Sequence, residues 1–235
     1  MPDEKLIYNQ DALRYERLIA REDYQANILP ALRQVLPLEG LHVVDTGTGT
    51  GRLARMLAPL VHTILGLDVS TAMLLVAKEN LQKCESTNCS LVVADHRWLP
   101  LQESSAELVV SGWSLSYLAL WNPDHWEAEL AQALGEISRI LGPGGTLIIL
   151  ETLGTGVEVP HLPENLKDYF TYLDEHRFAS AWIRTDYKFK DQAEAEELAG
   201  FFFGEEMPAH TIPLPDSEEV ILPECTGLWW RTERV

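Results

Sequence analysis

The 235 residues predict a single α/β domain built on a parallel sheet, and three observations carry that reading. Apolar runs of strand length at 41–46, 62–67, 90–94, 107–112 and 146–150 alternate with longer stretches of helical spacing. The first run is apolar on both faces, as a central parallel strand should be. It ends at Asp45 and breaks into glycines at 47, 49 and 51 before a helical pattern begins, so VVDTGTGTGRLA at 43–54 reads as strand, tight loop, helix.

Glycines at alternate positions let backbone amides close on a ligand and permit positive φ angles, and a loop of this kind opening onto a helix favours an anionic group. A dinucleotide fingerprint, G-x-G-x-x-G, would need a small residue at position 52, where Arg52 stands. That disfavours a nicotinamide-dependent oxidoreductase. The pattern G-x-G-x-G, with Asp45 two residues before its first glycine, resembles motif I of the class I S-adenosylmethionine-dependent methyltransferases. Gly66, Asp68, Ser70, Met73 and Leu74 then fit G-x-D-x-S-x-x-M-L, which is similar to the segment that follows motif I in the small-molecule, type 11-like members of that superfamily. Asp68 lies 21 positions beyond Gly47, a separation suited to an acid that accepts both ribose hydroxyls. It is also placed as an N-terminal acid of the next helix, with Ser70 as the cap.

The resemblance is close over about 40–152 and topological elsewhere. It implies a Rossmann-like, seven-stranded, mostly parallel sheet with helices on both faces and an antiparallel last strand. N-terminal helices precede the sheet and a helical insertion follows strand five. It implies S-adenosyl-L-methionine as cofactor, S-adenosyl-L-homocysteine as product and a small organic methyl acceptor. The implied cofactor contacts are Asp45, Gly47, Thr48 and Gly49 in the loop, with the amides at the start of the following helix on the methionine carboxylate. Asp68, Val69 and Met73 follow strand two, Asp95 meets the adenine amino group with His96 beside it, and Ser111 and Trp113 follow strand four. The alternative is a non-catalytic protein that keeps the pocket for sensing or assembly. No catalytic residue is assigned: alignment of donor and acceptor can supply about 7–11 kcal/mol, against roughly 3–5 kcal/mol from a general base.

Along the chain, 9–36 has helical spacing that Pro30 divides or kinks, giving two helices in an N-terminal arm (1–39). Tyr8 and Tyr15 in YNQDALRY are similar to the tyrosine-bearing arm with which many of these enzymes cover the cofactor; aromatic packing is the other reading. Tyr8 is also an acceptor-site candidate, and Tyr117 and Trp121 are candidates to line the acceptor pocket, or to start a helix under a lid. No N-P-P-Y or D-P-P-Y follows strand four, which argues against methylation of exocyclic nitrogens of DNA or of protein glutamine. The helix at 125–141 ends in Gly142-Pro143-Gly144-Gly145, similar to the L-x-P-G-G segment before strand five, and Glu151 at that strand's end is an acceptor-site candidate. Residues 153–187 read as a lid-like insertion carrying an amphipathic helix, with Tyr169, Tyr172, His176 and Trp182 as acceptor contacts. A helix packed on the sheet edge is the alternative. In 188–235, Asp191–Phe202 reads as the last crossover helix, and 206–214 with 220–231 as an antiparallel pair.

A formal net charge of −18 repels a phosphate backbone, so nucleic acid is not expected as a partner. Cys84, Cys89 and Cys225 form neither a disulfide framework nor a C-x-x-C metal signature. The start is charged and has no signal-peptide core, and no apolar run reaches membrane length. These features predict a soluble cytoplasmic protein without a metal, membrane or nucleic-acid partner; a homodimer is left open.

Overall fold

In the computed structural model, which describes residues 4–234, a seven-stranded sheet has the order β3-β2-β1-β4-β5-β10-β6. Its strands are β1 (His42–Thr46), β2 (Thr63–Asp68), β3 (Cys89–Val93), β4 (Ala106–Gly112), β5 (Leu141–Thr155), β6 (Ala179–Arg184) and β10 (Glu224–Thr232). The pairs along β3-β2-β1-β4-β5 are parallel, while β10 runs antiparallel to both β5 and β6. The direction of connection reverses between β1 and β4, which opens a crevice at their carboxyl ends.

Alternation along the strands divides the core into two layers. Val44, Val109, Leu147 and Ile149 face α6 (Ser116–Trp121), α7 (Trp126–Ile140) and α8 (Lys167–Glu175). Val43, Leu108, Val110 and Ile148 face α3 (Ile28–Val35) and α4 (Arg52–Leu57). On α7 the buried side chains Leu130, Ala133, Leu134, Ile137 and Ile140 recur at three- and four-residue spacing, the stripe of a helix lying on a sheet. The Gly142–Gly145 segment enters β5 as an irregularity: Ala106 pairs with Leu141, yet Leu108 pairs with Thr146.

Several expectations are corrected. The arm, whose residues 1–3 lie outside the described part, holds the two helices expected over 9–36 as α2 (Ala12–Ile19) and α3, preceded by a further one, α1 (Glu4–Gln10). Pro30 kinks nothing, because it falls in the first turn of α3, where no intrahelical N–H partner is needed. The 153–187 stretch is not a lid: after α8, a crossover helix, it contains β6, a strand of the main sheet. The antiparallel pair expected from 206–214 and 220–231 is present but short, and the second segment divides between two sheets. Val220–Leu222 (β9) pairs with Ile212–Pro213 (β8) and Tyr187–Phe189 (β7) in a separate three-stranded sheet, and β10 enters the main sheet. Pro223 stands between β9 and β10, and a chain with two strands in succession offers periodicity alone no sign of which sheet each joins. The helix predicted at 191–202 exists as α9 (Gln192–Phe203). It packs on the small sheet and on Leu18 of α2, not on the main one.

Candidate functional site

A cavity of about 550 Å³ opens at the carboxyl ends of β1, β2 and β3, within the range of small-molecule sites. Ten of the eleven predicted cofactor residues line it: Asp45, Gly47, Thr48, Gly49, Asp68, Val69, Met73, Asp95, His96 and Trp113. Ser111 does not; it is fully buried, and its hydroxyl meets that of Ser114, which does line the cavity, at 2.7 Å.

The loop after β1 is held from within. Asp45 Oδ2 accepts the Thr48 hydroxyl at 2.6 Å and the Ala54 amide at 3.2 Å, so this carboxylate fixes the loop to the start of α4. Its other oxygen, Oδ1, is buried and has no partner. Burial pushes the Asp45 carboxyl up to about 7 despite those two donors. Contrary to the expectation of bare loop amides, those of Gly47 and Thr48 both donate to the Leu67 carbonyl at 2.8 Å, and that of Gly49 donates to Asp68 Oδ2 at 2.9 Å. The glycines serve geometry instead. Gly47 has φ +74° and sits so close to the loop after β4 that a Cβ would overlap Ser114. Gly49 has φ +55°, and a Cβ there would meet nothing within 4 Å.

Asp68 ends β2 and takes the Ser70 amide on Oδ1 at 2.8 Å, while the Ser70 hydroxyl caps α5 (Thr71–Lys83) by accepting from Met73 N. Asp68 thus lines the cavity and also stands at the entry of α5. Asp95 is gripped by Arg97, whose Nε and Nη2 donate at 2.8 and 2.6 Å; burial opposes ionisation, but this guanidinium holds the carboxyl below its usual range. His96 Nδ1 meets Thr46 Oγ1 at 2.6 Å, and burial lowers its pKa to about 4, so the imidazole is neutral at physiological pH.

A second, inner chamber of about 110 Å³ adjoins the cavity and shares Tyr8, Tyr15, Arg52, Trp113 and Tyr117 with it. The hydroxyls of Tyr8 and Tyr117 are hydrogen-bonded to each other, and Tyr117 stacks on Trp121. Glu151 reaches this chamber, but both its oxygens are engaged: Oε1 by Ser116 N and the Tyr169 hydroxyl, Oε2 by Ser116 Oγ. Tyr169 is therefore corrected from an acceptor contact to a buried support of Glu151. Tyr172, His176 and Trp182 line neither space; Tyr172 packs on Trp126 and His176, and Trp182 is half-exposed on β6.

Sequence reading missed Glu22, Arg52, Tyr187 and Glu224. Arg52 is ion-paired with Glu22, and its guanidinium lies 4.3 Å over the Trp113 ring. Tyr187 donates to Glu22 at 3.0 Å. The four residues come from four separated segments, and no spacing in one chain announces such a meeting. Among the described residues, no group of three or more His, Cys, Asp or Glu could hold a metal ion, and no helix is long and apolar enough to cross a membrane.

Comparison with known proteins agrees with this geometry. Residues 44–149 match the family described as methyltransferase domain. The chain is 32% identical over 206 residues to a malonyl-[acyl-carrier protein] O-methyltransferase of Marinomonas sp., covering 80% of this chain and 68% of that one. It is 30% identical over 144 residues to a demethylmenaquinone methyltransferase of Shouchella clausii, covering 60% of this chain and 55% of that one, so the match spans about half of that relative. A SAM-dependent methyltransferase from Aquifex aeolicus shares the fold with a TM-score of 0.55 at 15% identity, over 97% of this chain and 93% of that one.

Proposed function

Because the chain belongs to the class I S-adenosylmethionine-dependent methyltransferases, we propose that the large cavity is its cofactor site and that it methylates a small organic acceptor presented from the inner chamber. One observation carries the assignment: Asp45, Asp68 and Asp95, from the ends of three neighbouring strands, line a single cavity. The residues present suit the cofactor. The orphaned Asp45 Oδ1 can accept from the ligand's ammonium directly or through water, the unused lone pairs of Asp68 can accept ribose hydroxyls, and Asp95 Oδ2, which takes only Arg97 Nη2, has capacity left for an amine donor. Gly49 leaves open space where a side chain would intrude. An acid-lined site also suits a cationic ligand.

When bound, the cofactor supplies a methyl group on a positively charged sulfur that departs as a neutral thioether. The chain's own contribution is placement. Trp113, held at φ +49° with its amide on the Leu150 carbonyl at 2.7 Å, forms part of the wall between the two spaces. Tyr8 and Tyr117, which line both spaces, border the passage through which donor and acceptor would be aligned. We assign no general base. Relatives named for malonyl-[acyl-carrier protein] and for demethylmenaquinone do not fix the acceptor here, and neither nucleic acid nor a membrane has a part in the proposal.

Calorimetric titration with S-adenosylmethionine tests the site. Gly49→Val and Asp68→Ala are expected to abolish saturable binding while leaving the fold intact by circular dichroism; unchanged affinity in both would overturn the assignment.

A further inference from the structure

The inner chamber has a charge pattern that the proposed reaction does not require. It gathers three carboxyl groups, Glu22, Glu151 and Glu224, against the single guanidinium of Arg52, and no other basic side chain lines it. Glu22 and Arg52 balance each other as an ion pair, and Glu151 is saturated by Ser116 and Tyr169. Glu224, which begins β10, accepts the Thr152 hydroxyl on Oε1 at 2.6 Å, but its Oε2 is buried without a partner. Glu22 Oε1 is likewise buried and unpartnered. Both residues are more than nine-tenths buried.

Buried carboxylate oxygens without partners are costly unless something donates to them. Burial raises Glu22 and pushes Glu224 up to about 8, so a proton on Glu224 partly answers the cost. A donor with positive charge answers it better. The aromatic residues of the chamber, Tyr15, Trp113, Tyr187, Phe202 and Phe203 among them, add the negative ring faces and edges that suit an organic cation. Arg52 keeps one buried donor without a partner, Nη2, against the two unpartnered carboxylate oxygens, so acceptors outnumber donors and an anionic group would meet more repulsion than attraction. The volume admits a group about the size of three or four waters.

We propose that the inner chamber is a subsite for a small organic ammonium group, so that the methyl acceptor is an amine-bearing molecule whose charged head is received by Glu22 and Glu224. This rests on the reading of the large cavity as cofactor site, with which the chamber shares a wall.

The test separates the two readings. The whole protein is titrated with ethylammonium chloride, sodium propionate and ethanol, each with and without S-adenosylhomocysteine, so that cofactor affinity reports on the cavity and probe affinity on the chamber. A three-atom head is expected to bind saturably in about the millimolar range, with propionate and ethanol at least about tenfold weaker. Glu224→Gln is expected to weaken ethylammonium about tenfold or more while cofactor affinity is unchanged. Glu22→Gln, a second variant in case the first is poorly folded, frees Arg52 and is expected to shift the preference toward propionate. Propionate binding as well as ethylammonium to the unaltered protein, or no saturable ethylammonium binding beside normal cofactor binding, would overturn the amine subsite and leave the cofactor site standing. Loss of cofactor binding with ethylammonium binding retained would do the reverse.

Discussion

Gly47 and Gly49 both have positive φ and both line the large cavity, yet alanine at the two positions should act on different properties. Gly47→Ala places a Cβ against Ser114 and 3.0 Å from His96 Cε1. Ser114 cannot yield freely, since its hydroxyl donates to the Thr46 carbonyl at 3.1 Å and meets Ser111 Oγ at 2.7 Å. The left-handed backbone costs about 1–2 kcal/mol for a residue with a Cβ. Two disturbed hydrogen bonds add roughly 2 kcal/mol, and overpacking adds about 1–3 kcal/mol. The total is about 4–7 kcal/mol, and at about 0.5 kcal/mol per degree for a chain of this length the melting temperature should fall by roughly 8–14 °C. Gly49→Ala carries only the backbone cost, because nothing lies within 4 Å of the new carbon, so it should melt only about 2–4 °C lower. Its effect falls on the ligand, with affinity for S-adenosylhomocysteine reduced about tenfold or more by a methyl group standing in the cavity. Scanning calorimetry gives the first quantity and isothermal titration the second. Equal melting losses in the two variants, or a Gly47→Ala protein within about 3 °C of the parent, would refute the argument from loop contact.

Other consequences can be measured independently. Arg52→Met leaves Glu22 buried with only the Tyr187 hydroxyl as donor, and urea unfolding should show a loss of about 3–5 kcal/mol. Asp45, Glu151 and Glu224 have folded-state pKa values raised by burial to about 7, about 7 and about 8. The native state therefore holds more protons than the unfolded one from about pH 4.5 to 8, and stability should fall as pH rises through that window. His96, lowered to about 4, acts oppositely only between about pH 4 and 6.5, so a melting temperature that rises from pH 6.5 to 8 would contradict these environments. Asp45→Asn should cost about tenfold or more in S-adenosylhomocysteine affinity, because the unpartnered Oδ1 is exchanged for an amide donor, while melting at pH 8 holds or rises.

The parts of this molecule written in local spacing were readable from the chain. The loop after β1, the acid at Asp68 and the cap at Ser70 each lie within a few residues of the partners that define them. The parts decided by where distant segments meet were not. Glu22 and Glu224 are separated by most of the chain and share one chamber, and nothing in their neighbours distinguishes them from the many other acidic residues. Tyr169 shows the converse: an aromatic on an apolar helical stripe looks alike whether it faces a ligand or supports a carboxylate behind the wall. Residues 153–187 were misread because an amphipathic helix followed by a short, largely exposed edge strand has no pattern that separates it from an insertion. The charged residues that keep an edge from pairing, such as Arg184, also hide the strand.

The N-terminal helix α1 has one further implication. Tyr8 walls both spaces, and α1 is latched to the rim of the large one by the Ser70 hydroxyl, which reaches the Tyr8 carbonyl at 2.9 Å and Asn9 Oδ1 at 3.2 Å. On the proposed function, one serine hydroxyl thus ties the arm that walls both spaces to the segment after β2, and departure of the spent cofactor is coupled to that tie.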